Sequence, residues 1–376
     1  MITEIKITPL LFPLIKPFSN HIRVITHITG LEVRIVTTIG IIGHGFIYGL
    51  NNMPHEEIIN ILESRILPKL FAHDIDIENP TQLMSWWKKI WPILKPEQHT
   101  QSELTALAII DIAIWDILMK DKKTSLNKFL GGEKDKVPVY ATTGWLSMSS
   151  DELIAECKEY KKQGVNAFKI RLGHKEDIAR VRAVRNAMGD QFILILDANQ
   201  RYSSEEAIQI SKDFSSFNIL WLEEPTINKL NLFDKTKENS VIPIALGENI
   251  IAENDFIEIC KNKLTDILQI DLPRAGGITG FIRILEIALE YRIPVCNHLL
   301  YELSISLVSA YKNGYMLEYD NLLPSGIFSH DFKVIDGCIQ PPDLLGNGVE
   351  LTESALHQYG LSTYTVSPNS LTQRRV

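Results

Sequence analysis

Three short apolar runs in the second half of the chain each end on an acid: Phe192-Ile-Leu-Ile-Leu-Asp197, Ile219-Leu-Trp-Leu-Glu223 and Ile244-Ala-Leu-Gly-Glu248. The gaps between the acids are 26 and 25 residues, the length of one strand-helix repeat. Each run reads as a buried parallel strand. Consecutive parallel strands that end on acids bring those acids to one point at the mouth of a (β/α) barrel. Three carboxylates meeting there would hold a hard divalent cation.

The same rhythm extends in both directions. From Val137, strand-like runs alternate with amphipathic helical stretches: Val137–Tyr140, Ala167–Arg171, Phe192–Asp197, Ile219–Glu223, Ile244–Gly247, Ile267–Ile270, Val295–Asn297 and Met316–Tyr319. Eight such strands predict a closed α/β barrel over residues 131–330. A doubly wound sheet is the alternative, but no Gly-x-Gly-x-x-Gly turn follows the first strand. Residues 1–130 read differently, as strands (Ile22–His27, Leu31–Thr37) and Gly-rich turns followed by helices at Glu56–Leu67 and Glu103–Leu118, the second capped by Ser102. That is an α+β module. Residues 331–376 lose the rhythm and are expected to wrap back onto it.

At 376 residues the chain is long enough for two domains. Its net charge of −8, with no Lys/Arg-rich run, argues against a nucleic-acid partner. No apolar run is long enough for a membrane span. Pro9, Pro13 and Pro17 interrupt the apolar start, which therefore reads as a first strand and loop rather than a leader. Cys157, Cys260, Cys296 and Cys338 lack metal or redox spacing, so reduced thiols in a cytoplasm are expected.

More strand ends are polar. Asp271 and His298 close the sixth and seventh strands, Glu318 lies on the eighth, and Lys169 and Arg171 lie two apart on the second, so both point into the barrel. Such charges are costly unless paired or catalytic. One ion pair could be structural; eight charges at strand ends are hard to explain that way. The set fits proton abstraction beside a carboxylate, where a cation and basic side chains stabilise the two oxygens of an enediolate. An Asp–His pair fits the base.

The sequence resembles the enolase superfamily, in its mandelate racemase subgroup, over nearly its whole length. Phe168-Lys-Ile-Arg-Leu-Gly173 is similar to the family's Lys-x-Lys strand. Asp197-Ala-Asn-Gln200, Trp221-Leu-Glu-Glu-Pro225 and Gly247-Glu-Asn249 resemble its three metal-ligand motifs. Gly276-Gly-Ile-Thr-Gly280, His298-Leu-Leu-Tyr-Glu-Leu-Ser304 and Leu317-Glu318 resemble later barrel segments. Ala106–Asp116 and Leu130-Gly-Gly132 resemble the joint between cap and barrel. The resemblance implies a (β/α)7β TIM barrel with an N-terminal capping domain that the C-terminal tail completes. It implies Mg²⁺ on Asp197, Glu223 and Glu248, with Asn199 and Glu224 beside them. It makes His298, oriented by Asp271, a general acid/base. It places Glu318, Lys169 and Thr142 at the carboxylate of a small substrate. Two cap loops, Pro17–Thr29 with Arg23 and Gly45–Asn52 with Tyr48, would set specificity. A homo-oligomer is expected, with Trp86, Trp87 and Trp91 as packing or as part of its contact.

One position departs from the pattern. Two-base racemases of this family carry Lys where this chain has Arg171, and a guanidinium is a poor proton acceptor. Lys169 is the remaining candidate for a second base, although its position suits electrostatic stabilisation better. A base on one face suits dehydration of a sugar acid, an aldonate or aldarate. Racemisation or epimerisation of a 2-hydroxy acid is the alternative, and a barrel that only binds is a third reading.

Overall fold

The computed structural model describes residues 2–19, 24–50, 53–73, 80–95 and 100–368. Two sheets organise it. The first is antiparallel and holds β1 (Ile2–Ser19), β2 (Val24–Thr37) and β3 (Ile42–Leu50). The expected pair of short strands is thus one strand, β2, that passes through Gly30. β1 likewise runs on past its prolines. The Pro9 carbonyl accepts from Leu361 N at 2.9 Å, so Pro9 faces the edge away from β2 and its missing N–H costs no β1–β2 bond. Pro13 has the same parity.

The helix Gln101–Asp121 lies across this sheet. Its cap is Thr100, not Ser102: Thr100 and Glu103 bond reciprocally in a capping box. Gly43 and Gly45 let the helix backbone approach β3. A Cβ on either would stand 2.3 Å from the carbonyl of Ala113 or Ile109. Both glycines lie within β3, so the Gly-rich stretch there is strand, not the expected turns and loop. The helix Glu56–Leu67 is observed as His55–Ile61, a π turn Leu62–Ile66 and Leu67–Ala72.

Eight parallel strands then form the barrel: β4 (Val137–Thr142), β5 (Ala167–Arg171), β6 (Ile193–Asp197), β7 (Ile219–Glu223), β8 (Ile244–Leu246), β9 (Ile267–Asp271), β10 (Val295–His298) and β11 (Leu317–Tyr319). They pair in sequence order, and β11 returns to β4. At the remaining seam a single backbone bridge joins Val295 to Gly314, and the Asn297 side chain stands in for further ladder bonds. Its amide donates to Glu318 O at 3.2 Å and its oxygen accepts from Glu318 N at 2.8 Å. Two short strands follow: β12 (Cys338–Ile339) pairs with β4, and β13 (Tyr364–Val366) pairs with β1.

One residue per barrel strand packs into an inner cluster: Tyr140, Ala167, Ile195, Trp221, Ala245, Ile267, Cys296 and Met316. Two residues further along each strand, on the same face, stand Thr142, Lys169, Asp197, Glu223, Gly247, Gln269, His298 and Glu318. An apolar plug thus carries a polar layer at the C-terminal end of the barrel.

Candidate active site

His298 of that layer lines a cavity of about 410 Å³. Arg171, Glu248, Asp271, Arg274 and His298 line it from the barrel, and Tyr48 and Met53 line it from the capping module. Lys169, Asp197, Glu223 and Glu318 are completely buried.

Lys169 holds the layer together. Its ammonium is 2.6 Å from Glu223 Oε1, 2.8 Å from Glu318 Oε1 and 3.6 Å from Asp197 Oδ2. Burial opposes its charge, but the three carboxylates outweigh burial and keep it protonated far above neutral pH. In this arrangement Lys169 compensates buried acids. The sequence reading missed Gln269, which donates to Glu223 Oε2 at 2.8 Å. A polar residue two positions before Asp271 was the available signal, because it shares that residue's face.

Arg171 bonds Asp197 and lies 3.4 Å from Asn199 Oδ1. Its guanidinium stacks on Trp145, 4.1 Å from the ring centroid, and Phe18 of β1 stacks on the other side at 3.8 Å. Nε of Arg171 is buried and has no hydrogen-bond partner. Across the mouth, His298 Nδ1 is 2.7 Å from Asp271 Oδ2, and its Nε2 is 3.3 Å from Glu248 Oε2. Burial opposes an imidazolium, but Glu248 and then Asp271 push His298 up to about 9. In this arrangement His298 carries a proton at neutral pH, the state of an acid. Service as a base requires that the Glu248 carboxylate engage another cation.

Glu318 resists burial through Lys169 and His298, which draw its carboxyl down to about 2. As an anion it accepts hydrogen bonds; donating to a substrate carboxylate requires that it first take a proton. The Thr142 hydroxyl lies beside this buried carboxylate and helps to hold it as an anion. Burial instead pushes Glu223 up to about 8, against the pull of Lys169. Glu224 staples neighbouring loops, accepting from Gly247 N and Gln200 Nε2, both at 3.0 Å. The loops bend sharply here, and Asn199, Gln200 and Glu224 have φ of 43°, 65° and 40°.

Asp197, Glu223 and Glu248 offer the hard oxygen donors that Mg²⁺ prefers. Asp197 and Glu223 are partners in the β6–β7 register, and Glu248 follows β8. Their oxygens face Lys169, Arg171 and His298, and among the described residues no three acidic, His or Cys side chains already form a metal cage. The donor chemistry fits a divalent cation, and the neighbouring cations mark the same negative centre.

Two family profiles match the chain: the mandelate racemase / muconate lactonizing enzyme N-terminal domain over residues 2–131, and the enolase C-terminal domain-like profile over residues 152–355. The chain belongs to the mandelate racemase/muconate lactonizing enzyme family of the enolase superfamily. An L-talarate/galactarate dehydratase from Salmonella typhimurium is 32% identical over 66% of this chain and 64% of its own length. An arabinonate dehydratase from Saccharolobus solfataricus is 29% identical over 88% of this chain and 90% of its own. The crystal structure of the Salmonella enzyme with Mg and L-lyxarohydroxamate superposes with a TM-score of 0.87 at 26% identity, covering 97% of this chain and 94% of that one. The modified TIM barrel and its N-terminal cap are thus those of the family.

Of the expected site residues, Lys169, Arg171, Asp197, Glu223, Glu248, Asp271, His298, Glu318, Thr142 and Asn199 gather at the barrel mouth. Arg23 lies outside the described residues. Tyr48 lies at the end of β3, and its hydroxyl is bonded to Asp320 rather than free in the cavity. Trp91 bridges cap and barrel by donating to Gly276 O at 3.3 Å, while Trp87 donates to Asp111 at 2.8 Å within the cap.

Proposed function

We propose that this family member is a Mg²⁺-dependent dehydratase of sugar acids. The observation that carries the reading is the asymmetry of the mouth. His298–Asp271 stands on one side and can move a proton; Arg171 stands opposite and cannot accept one. Lys169 is fully engaged beneath. Talarate/galactarate and arabinonate dehydratases among the relatives agree with this chemistry.

Asp197, Glu223 and Glu248 would hold Mg²⁺. When bound, it supplies positive charge where the substrate carboxylate gains negative charge. His298 Nε2 takes the α-proton, and Asp271 fixes the tautomer by accepting from Nδ1. The protonated imidazole then delivers that proton to the departing β-hydroxyl. The resulting enol becomes a 2-keto-3-deoxy acid. Arg171, with an unpaired buried Nε, offers donors to substrate oxygens on the far face. Three of the four unpaired cysteines are buried, which suits a reducing cytoplasm.

The test is a screen of aldonic and aldaric acids with Mg²⁺ present. Formation of a 2-keto-3-deoxy acid is the expected outcome. A hit that is only racemised or epimerised would overturn the dehydratase reading in favour of an isomerase. A chain that converts nothing and gains no stability from Mg²⁺ would leave a binding barrel.

A further inference from the structure

The loop after His298 has an uncommon backbone. Leu299 and Leu300 have φ of 50° and 46°, two successive left-handed residues that are not glycine. Leu300 then opens the helix Tyr301–Val308. Such a turn persists only where its surroundings fix it. From inside the barrel, Asn297 Nδ2 donates to Leu299 O at 2.8 Å. From the capping sheet, the Tyr48 hydroxyl accepts from Leu300 N at 3.2 Å and donates to Asp320 Oδ2 at 2.9 Å.

Asp320 follows β11 and is buried, as is Glu302, whose Oε2 has no hydrogen-bond partner. Burial drives both carboxyls up, Asp320 to about 7, and repulsion by Asp320 adds to the effect at Glu302. The pair is costly to bury. What it provides is a strong acceptor that orients the Tyr48 hydroxyl, leaving that oxygen's lone pairs for the Leu300 amide.

We propose that Tyr48 is a positioning residue: through Asp320 and the Leu300 amide, the capping sheet fixes the Leu299–Leu300 turn and with it the imidazole of His298. The capping module thus shapes the proton-moving side of the site as well as covering it. This rests on the reading of His298 as the group that moves the α-proton.

Tyr48→Phe tests it, because the ring keeps its packing beside Phe46, 5.9 Å away between centroids, and loses only the hydroxyl. The expected result is a fall in kcat for α-proton exchange of roughly tenfold to a hundredfold, as for a misplaced reacting group. KM stays within about twofold, since substrate binding groups are untouched. In the substrate-free protein, the low-field proton resonance of the His298–Asp271 hydrogen bond shifts or broadens. Asp320→Asn keeps an acceptor oxygen and retains activity; Asp320→Ala behaves like Tyr48→Phe, and the double variant is no worse than either. An unchanged kcat and resonance in Tyr48→Phe would overturn the proposal. So would a raised KM at constant kcat, which would make Tyr48 a substrate contact. If the wild type exchanges no α-proton, the sugar-acid reading fails, and the resonance comparison still decides the role of Tyr48.

Discussion

Two groups of buried carboxylates, one on the long helix of the cap and one at the barrel mouth, are built on opposite plans. On the helix Gln101–Asp121, Asp111 accepts from Trp87 Nε1, Thr279 N and the Thr279 hydroxyl. Asp116 accepts from His44 N and Asn347 N and pairs with Lys120. Backbone amides and fixed side chains from the cap, the barrel and the tail close these acids off. At the barrel mouth the acids are held by Lys169, Arg171 and His298, while the buried Nε of Arg171 remains unpaired. A closed set ties elements together. An open set, rich in charge and short of partners, is prepared for something else to complete it.

The sharpest way to separate the two sets is at His298. His298→Asn should abolish α-proton exchange with D₂O, a loss of at least about 10³-fold, while the fold survives. Exchange that persists would remove His298 from the chemistry and weaken the contrast. Lys169→Met leaves buried acids uncompensated and should destabilise the protein by about 3–5 kcal/mol, read from denaturant unfolding. A neutral outcome would mean that the mouth is stabilised in some other way. Asp111→Ala strands several buried donors and should cost about 3 kcal/mol. The folded fraction should keep its kcat, because Asp111 belongs to the closed set. A specific loss of kcat would erase the distinction.

The effect of pH separates the two sets as well. Burial raises Asp111 from 3.8 to about 7 despite its donors. The folded state therefore holds this proton more tightly than the unfolded chain does. The associated stability is fully present below about pH 4 and is lost as pH rises toward 7. Asp111→Asn should flatten that part of the stability profile by up to about 1.4 kcal/mol per pH unit. A profile identical to the wild type would show that another group carries it.

Much of the barrel was legible because two signals coincided, an apolar run and a polar residue at its end. The two-residue period then places Lys169, Asp197, Glu223, His298 and Glu318 on one interior face. The same rule could have exposed Gln269 inside Ile267-Leu-Gln-Ile-Asp271. The cap of the long helix was also readable, since Glu103 pairs with a residue three positions earlier, which is Thr100. Other features had no local signal. Glycines at 43 and 45 look like turn residues, and only the packed helix explains them as close-approach positions within a strand. The ion pairs of Lys169 depend on four strands at once, so sequence spacing could not tell a substrate contact from a buried counter-ion. Trp145 and Asp320 acquire meaning only through partners far away in sequence: Phe18 and Arg171 for the first, Tyr48 for the second.

The pairing of β13 with β1 has a consequence for how the molecule is made. Chains emerge from the ribosome N-terminus first, so β1, β2 and β3 exist long before residues 364–366 that complete their sheet. Every barrel strand is synthesised in the interval. The capping sheet is thus begun before the barrel and completed after it, so its last strand is fastened only once the barrel beneath it has been made.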